Sequence, residues 1–157
     1  MSQGIRYYID DLNLRFTNLL FTNKLRKFWG LARIDISGVP FINESGKYND
    51  VLFDDRYDIS SFYVLTGDEN AKPYSIESKI DLIVTAKMTS FSGYTEDEII
   101  EAVYEIMKVT PFGTGLSSVT RDMNAIKEFN YQEKIKETMH PYFVFRFKCR
   151  LLSQLKI

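Results

Sequence analysis

Apolar positions recur along this chain with two different periods, and the switches between them mark its elements. Ile5, Ile9, Leu12, Phe16, Leu19 and Leu20 follow one another mostly at steps of three and four. That spacing predicts an amphipathic helix over residues ~4–23, with Asp10 and Asp11 on its solvent side and Thr22-Asn23 at its end. Lys24 to Ile36 is strand-like, with Phe28, Leu31 or Ala32, Ile34 and Ile36 as apolar members, until Ser37-Gly38 and Pro40 interrupt it. From Lys79 to Met88 the period is two. Ile80, Leu82, Val84, Ala86 and Met88 take one face of an extended chain; Asp81, Thr85 and Lys87 take the other, with Ile83 its one apolar member.

A Gly-containing loop follows, and then a helix start. Thr95 is the expected N-cap, Glu98 completes a capping box, and Tyr94 is placed to staple against Ile99. Asp97 and Glu98 stand where the positive end of the helix dipole favours them. Ile99, Ala102, Val103 and Ile106 make a stripe that must pack on a sheet face such as Ile80–Met88. The last element alternates again. Phe143, Phe145, Phe147, Cys149 and Leu151 point one way, and Arg146, Lys148 and Arg150 the other with Tyr142, Val144 and Leu152. This is a half-buried antiparallel strand expected to pair with Ser75–Met88.

Between these regular parts lie less patterned ones. Residues 41–70 carry two polar breaks, at 43–47 and 54–58, with short strand candidates at Tyr48–Phe53 and Ser60–Leu65. They read either as a protruding β-arm whose exposed aromatics, among them Tyr48, Phe53 and Tyr57, suit a subunit contact, or as an ordinary meander packed on the body. Thr110–Gly115 is a loop, Leu116–Thr120 a short strand, and Asp122–Met139 a polar stretch of weak helical or edge character. The expected fold is therefore α+β and one domain over 1–157. It is a mostly antiparallel sheet with an N-terminal and a central helix on one face, plus the arm at about 41–70.

Composition adds few constraints. Aromatic residues are 15% of the 157, which suits sheet and large contact surfaces. A formal net charge of −1 supplies no global attraction to nucleic acid or an anionic membrane. One cysteine, Cys149, excludes an internal disulfide. No apolar run reaches the length of a membrane span, and the N-terminus has no signal-like core, so synthesis and folding in a cytoplasm are expected.

Candidate chemistry is sparse. His140 is the single histidine, so it would have to serve any His-based triad or metal site, and Cys149 sits on a row that reads as buried. Gly113-Thr114-Gly115 resembles a phosphate-loop fragment, but no Gly-Lys-Ser/Thr follows and a turn accounts for it. The pairs Asp10-Asp11 and Asp54-Asp55 lack a third ligand at useful spacing. These residues predict no catalytic group, cofactor or metal. The one patterned polar feature is the row Arg146, Lys148, Arg150, able to track phosphates or to meet acidic groups of a neighbour.

The order of elements is itself informative. An amphipathic helix leads to a strand and a β excursion with Gly38-Val39-Pro40-Phe41 at its base. A central strand, Ile80-Asp81-Leu82-Ile83-Val84-Thr85-Ala86, precedes a helix on the sheet, and His140-Pro141-Tyr142-Phe143-Val144-Phe145-Arg146-Phe147 closes the chain. Over nearly its whole length this pattern resembles the tail terminator and related neck or tail-completion proteins of tailed bacteriophages. The resemblance implies a structural virion protein, assembled in the host cytoplasm into a ring at the head–tail junction. Its partners would be further copies of itself and other neck, portal or tail proteins, with DNA passing through the channel without specific recognition and no membrane involved. Neither a catalytic residue nor a cofactor carries over. In such a ring Arg146, Lys148 and Arg150 are expected at a subunit contact, facing acids such as Asp54, Asp55 and Glu133, because a basic lining would hold DNA back. The competing expectation is a small α+β enzyme or ligand-binding domain with a pocket between helix 95–109 and the sheet.

Overall fold

The computed structural model describes residues 5–20, 25–31, 33–34, 40–44, 47–50, 56–66, 70–73, 75–127, 129 and 141–154. Helix α1 (Ile5–Leu19) leads to β1 (Lys27–Leu31), and three short strands follow, β2 (Arg33–Ile34), β3 (Pro40–Glu44) and β4 (Lys47–Asp50). Next come β5 (Ile59–Leu65), β6 (Asn70–Lys72) and the long β7 (Ser75–Lys87). A 3-10 turn at Met88–Ser90 precedes α2 (Glu96–Met107) and the single-turn helix α3 (Pro111–Thr114). Strand β8 (Ser118–Arg121), the short helix α4 (Met123–Ile126) and β9 (Tyr142–Gln154) complete the described chain.

The fold is α+β and its main sheet is mostly antiparallel. Strand order is β1-β5-β7-β9-β8, with β6 added beside β7. Only β1 and β5 run parallel. β7 and β9 pair over 13 positions, from Ser75↔Gln154 to Lys87↔Tyr142. Directly opposed residues share a sheet face, so Tyr63, Leu82 and Phe147 lie on one side while Phe62, Ile83 and Arg146 lie on the other.

The first side is the main core. Ile80, Leu82, Val84 and Ala86 of β7 and Phe143, Phe145, Phe147 and Cys149 of β9 are buried there under both long helices. α1 contributes Ile9, Leu12 and Phe16, and α2 contributes Ile99, Val103, Ile106 and Met107. The three phenylalanine rings follow one another at 5.3 and 5.7 Å, in the range where rings attract beyond their buried area. Tyr63 donates from its hydroxyl to Asn13 Oδ1 at 2.7 Å, tying α1 to β5. The capping box at α2 forms as its residues require. Thr95 Oγ1 accepts from the Glu98 N–H at 3.2 Å, and the Thr95 N–H donates to Glu98 Oε1 at 3.1 Å.

The second side was expected to face solvent along Asp81, Thr85 and Lys87. Instead Asp81, Ile83 and Thr85 are all buried, as are Phe62 and Val64 of β5 and Val144 of β9. α4 and Phe129, three residues beyond it, cover this end of the face: Ala125, Ile126 and Phe129 are buried, and the Phe129 ring lies tilted at 6.3 Å from that of Phe62.

The arm expected over 41–70 needs shorter bounds. β5 (Ile59–Leu65) belongs to the centre of the main sheet and is buried along six of its seven residues. Both its faces carry large apolar groups, so it packs on two sides and cannot be part of an excursion. What does leave the main sheet is the antiparallel β2-β3-β4 unit, which shares no strand with it among the described residues. The chain thus departs after β1 and returns at β5, the strand beside β1.

Asp58 anchors that return. Its Oδ2 accepts from the Arg26 N–H at 2.8 Å, and its Oδ1 accepts from the Arg26 guanidinium at 3.2 Å and from Ser90 Oγ at 2.7 Å. Burial alone would raise its pKa. The three hydrogen bonds and the guanidinium charge outweigh burial and hold the carboxyl at about 2.

Candidate functional site

The phosphate-loop fragment resolves into backbone packing. Gly113 lies in α3, where a Cβ would meet the Lys108 backbone at 2.4 Å. At Gly115 a Cβ would come within 1.9 Å of the Arg150 carbonyl oxygen, and the Arg150 N–H donates to the Gly115 oxygen at 3.1 Å. Gly113 lets the chain turn close against the end of α2, and Gly115 lets it lie against β9. Cys149 is buried, and its thiol is pushed up to about 12 by burial and then by the Asp81 charge, which leaves it unreactive. His140, Asp54, Asp55, Phe53 and Glu133 lie outside the described residues, and of Tyr48 only its place in β4 is described. Tyr57 is half-buried, with the Arg56 guanidinium 5.2 Å from its ring centre. Among the described residues no three His, Cys, Asp or Glu side chains cluster as metal ligands would.

The basic row of β9 divides into three different situations. Arg146, expected at a subunit contact, is engaged within the subunit. Its Nε donates to Asp81 Oδ2 at 2.6 Å and its guanidinium also donates to the Ala125 carbonyl at 3.2 Å, with side-chain exposures of 13% for Arg146 and 2% for Asp81. The register explains the pairing. Arg146 opposes Ile83 on β7, one strand position diagonal from Asp81, on the face that α4 closes over. A charge buried there must be partnered, and each supplies the other. Asp81 Oδ1 has no partner among the described residues. Arg150 is 60% exposed and only loosely paired, 3.7 Å from Glu77 Oε1. Lys148 is exposed and has no ion pair among the described residues.

Beyond the end covered by α4, the same sheet face stays open and forms a groove of about 790 Å3. Lys79, Lys148 and Arg150 stand around it with the hydroxyls of Thr66 and Ser117, and the Asp81–Arg146 pair lies beneath. A smaller depression of about 410 Å3 continues past Thr120 and Asn124 to Lys127. Sequence reading found Lys148 and Arg150 but missed Lys79, which sits directly opposite Arg150 across the β7–β9 pair. The signal was present in the alternation of Lys79 with Ile80, but only the pairing register shows that two cations face each other. Like charges so placed repel. The groove therefore sets cations and hydroxyl donors side by side, a lining complementary to anionic groups.

The alternative pocket under α2 is filled. Ile99, Val103 and Ile106 pack into the core against β7 and β9. A shallow trough of about 590 Å3 runs instead along the outside, between α2 and the edge strand β8, with Ile100, Tyr104, Leu116 and Val119 in its wall and Asp97, Glu101 and Arg121 at its rim. No helix among the described residues is long and apolar enough to cross a membrane. Compared with protein-family models, with curated proteins and with solved structures, the chain matches none.

Proposed function

We propose that this chain is a structural protein of a tailed-bacteriophage virion. It forms a ring at the head–tail junction, a neck or tail-terminator-like subunit around the channel through which DNA passes. The observation that carries the reading is the β2-β3-β4 unit, inserted between two neighbouring strands of a complete sheet and pairing with neither. A unit that adds no strand to the main sheet among the described residues is available to reach another subunit, and closed rings are built from such contacts. Two further features agree with it. β8 is an edge strand exposed at all four positions, and the open end of the second sheet face carries Lys79 and Lys148, which have no ion pair among the described residues. Copies of the chain, and the portal or tail rings above and below, are the partners this reading assigns.

Native mass spectrometry and sedimentation over a wide concentration range test it. A discrete cyclic oligomer, visible as rings by negative-stain microscopy, is the expected result. Shortening the β3–β4 hairpin should abolish the oligomer while leaving a cooperative thermal transition. A chain that remains monomeric at every concentration overturns the reading.

A further inference from the structure

Two surfaces on opposite sides of the main sheet crowd like charges together, and ion pairs within the subunit neutralise only part of them. On the open face, Lys79 and Arg150 oppose each other directly, and Lys148, two residues before Arg150 on β9, is diagonal to Lys79 and opposite Asp81, which pairs with Arg146. On the outside of α2, Asp97, Glu101 and Glu105 are exposed and follow one another at i, i+4, a spacing at which like charges destabilise a helix. Arg121 pairs with Asp97 and Lys108 with Glu105, so Glu101 in the middle is left without an ion pair among the described residues. α2 itself packs on the core face, through Ile99, Val103 and Ile106, whereas the cations project from the other. Both local conflicts have the same remedy, an opposite charge from outside.

We propose that the groove of Lys79, Lys148 and Arg150 receives the acidic outer row of α2 from a second copy of this chain. The contact joins one side of a subunit to the opposite side of the next. It is therefore head-to-tail, the geometry that generates rings when its rotation closes. The inference rests on the ring reading and names the surfaces that make the ring. It replaces Arg146, which Asp81 already engages, with Lys79, and it gives Lys148 and Arg150 a partner in Glu101 and its neighbours. Opposite charges so arranged fix orientation and register between copies.

Paired charge reversals test the assignment. The groove variant is Lys79→Glu with Lys148→Glu, and the helix variant is Glu101→Lys with Glu105→Lys. All four side chains are exposed, so each variant should keep a cooperative thermal melt. Alone, each should assemble at a protein concentration at least about tenfold higher than the parent, and parent assembly should weaken as salt rises. Mixed in equal amounts, the two should assemble again, because an acidic groove then meets a basic helix and the remaining contact is the native one. Rings that form equally well in both single-sided variants, or variants that fail to rescue each other, overturn the assignment while leaving the ring reading standing. A parent that never oligomerises removes both. If the groove variant instead assembles normally and loses salt-sensitive binding of duplex DNA that the parent shows, the groove is a nucleic-acid face and the proposal is wrong.

Discussion

The two faces of the main sheet are built from the same strands, yet they follow different rules. The core face is apolar without interruption, from Ile80 to Ala86 on β7 and from Phe143 to Leu151 on β9, and two long helices seal it. On the other face a short helix and Phe129 cover one end, an ion pair sits beneath, and cations stand open at the far end. Stability is concentrated on the first face. The second gives up apolar packing to charged groups, one pair covered and the rest at a surface. This is where a folded domain tends to depart from its own best packing.

The largest expected effect tests the core face. Phe145 is fully buried between two other rings, so Phe145→Ala should destabilise by about 3–5 kcal/mol in denaturant titration. A variant as stable as the parent would erase the distinction between the faces.

The next test addresses the covered part of the second face. Asp81→Ala leaves the Arg146 guanidinium buried without its carboxylate and should cost about 3 kcal/mol. Replacing both, as Asp81→Leu with Arg146→Met, should recover most of that loss, since a buried pair is often no better than apolar groups of similar volume. If the double variant is as damaged as the single one, the pair has a role that packing cannot replace.

A third test lies at the end of the sheet, outside both faces. Asp58 titrates near 2 in the folded chain against an ordinary 3.8, a lowered value. The stability it confers is therefore complete above about pH 4 and is lost as pH falls toward 2. Asp58→Asn should cost about 1–3 kcal/mol at neutral pH and should flatten the acid limb of the stability profile between those values. An unchanged acid limb would show that the Arg26 and Ser90 contacts are not maintained in solution.

The smallest effect has the opposite sign. Lys79→Glu removes a cation opposite Arg150 and puts a carboxylate in its place, so the isolated subunit should gain roughly 0.2–1 kcal/mol. A loss of stability there would mean that the cations do not repel as their register implies.

Much of the core face was legible before any coordinates. The alternation in Tyr142–Leu152, the Ile80–Ala86 row and the Thr95/Glu98 cap each have a local cause, and local causes are written in neighbouring residues. The second face was not legible for a definite reason. Alternation says which side a residue points to and leaves open whether that side is covered. Asp81 therefore read as solvated, and the cover over it includes α4, a helix of four residues that is too short to show a period. β5 was misplaced for a related reason. Ile59–Leu65 is flanked by polar breaks and apolar on both faces, so it carries no alternation to declare that it lies at the centre of a sheet. The Lys79–Arg150 opposition depends on strand register between distant segments, which single residues do not encode.

The pairing of β7 with β9 also governs when this protein can fold. Its partners stand 55 to 79 residues apart in the chain, and β9 is the last strand described. During synthesis β5 can fold back on β7 early, but the apolar row of β7 and the inner stripe of α2 must wait for Phe143, Phe145 and Phe147 to leave the ribosome. Contacts this distant in sequence slow folding, because the closing of a long loop precedes any reward from it. The nascent chain is thus an open, aromatic-rich half-sheet until β9 arrives, exposed meanwhile to pairing with other chains. β9 therefore sets the order of events: its arrival completes the sheet and closes the core over the row from Ile80 to Ala86.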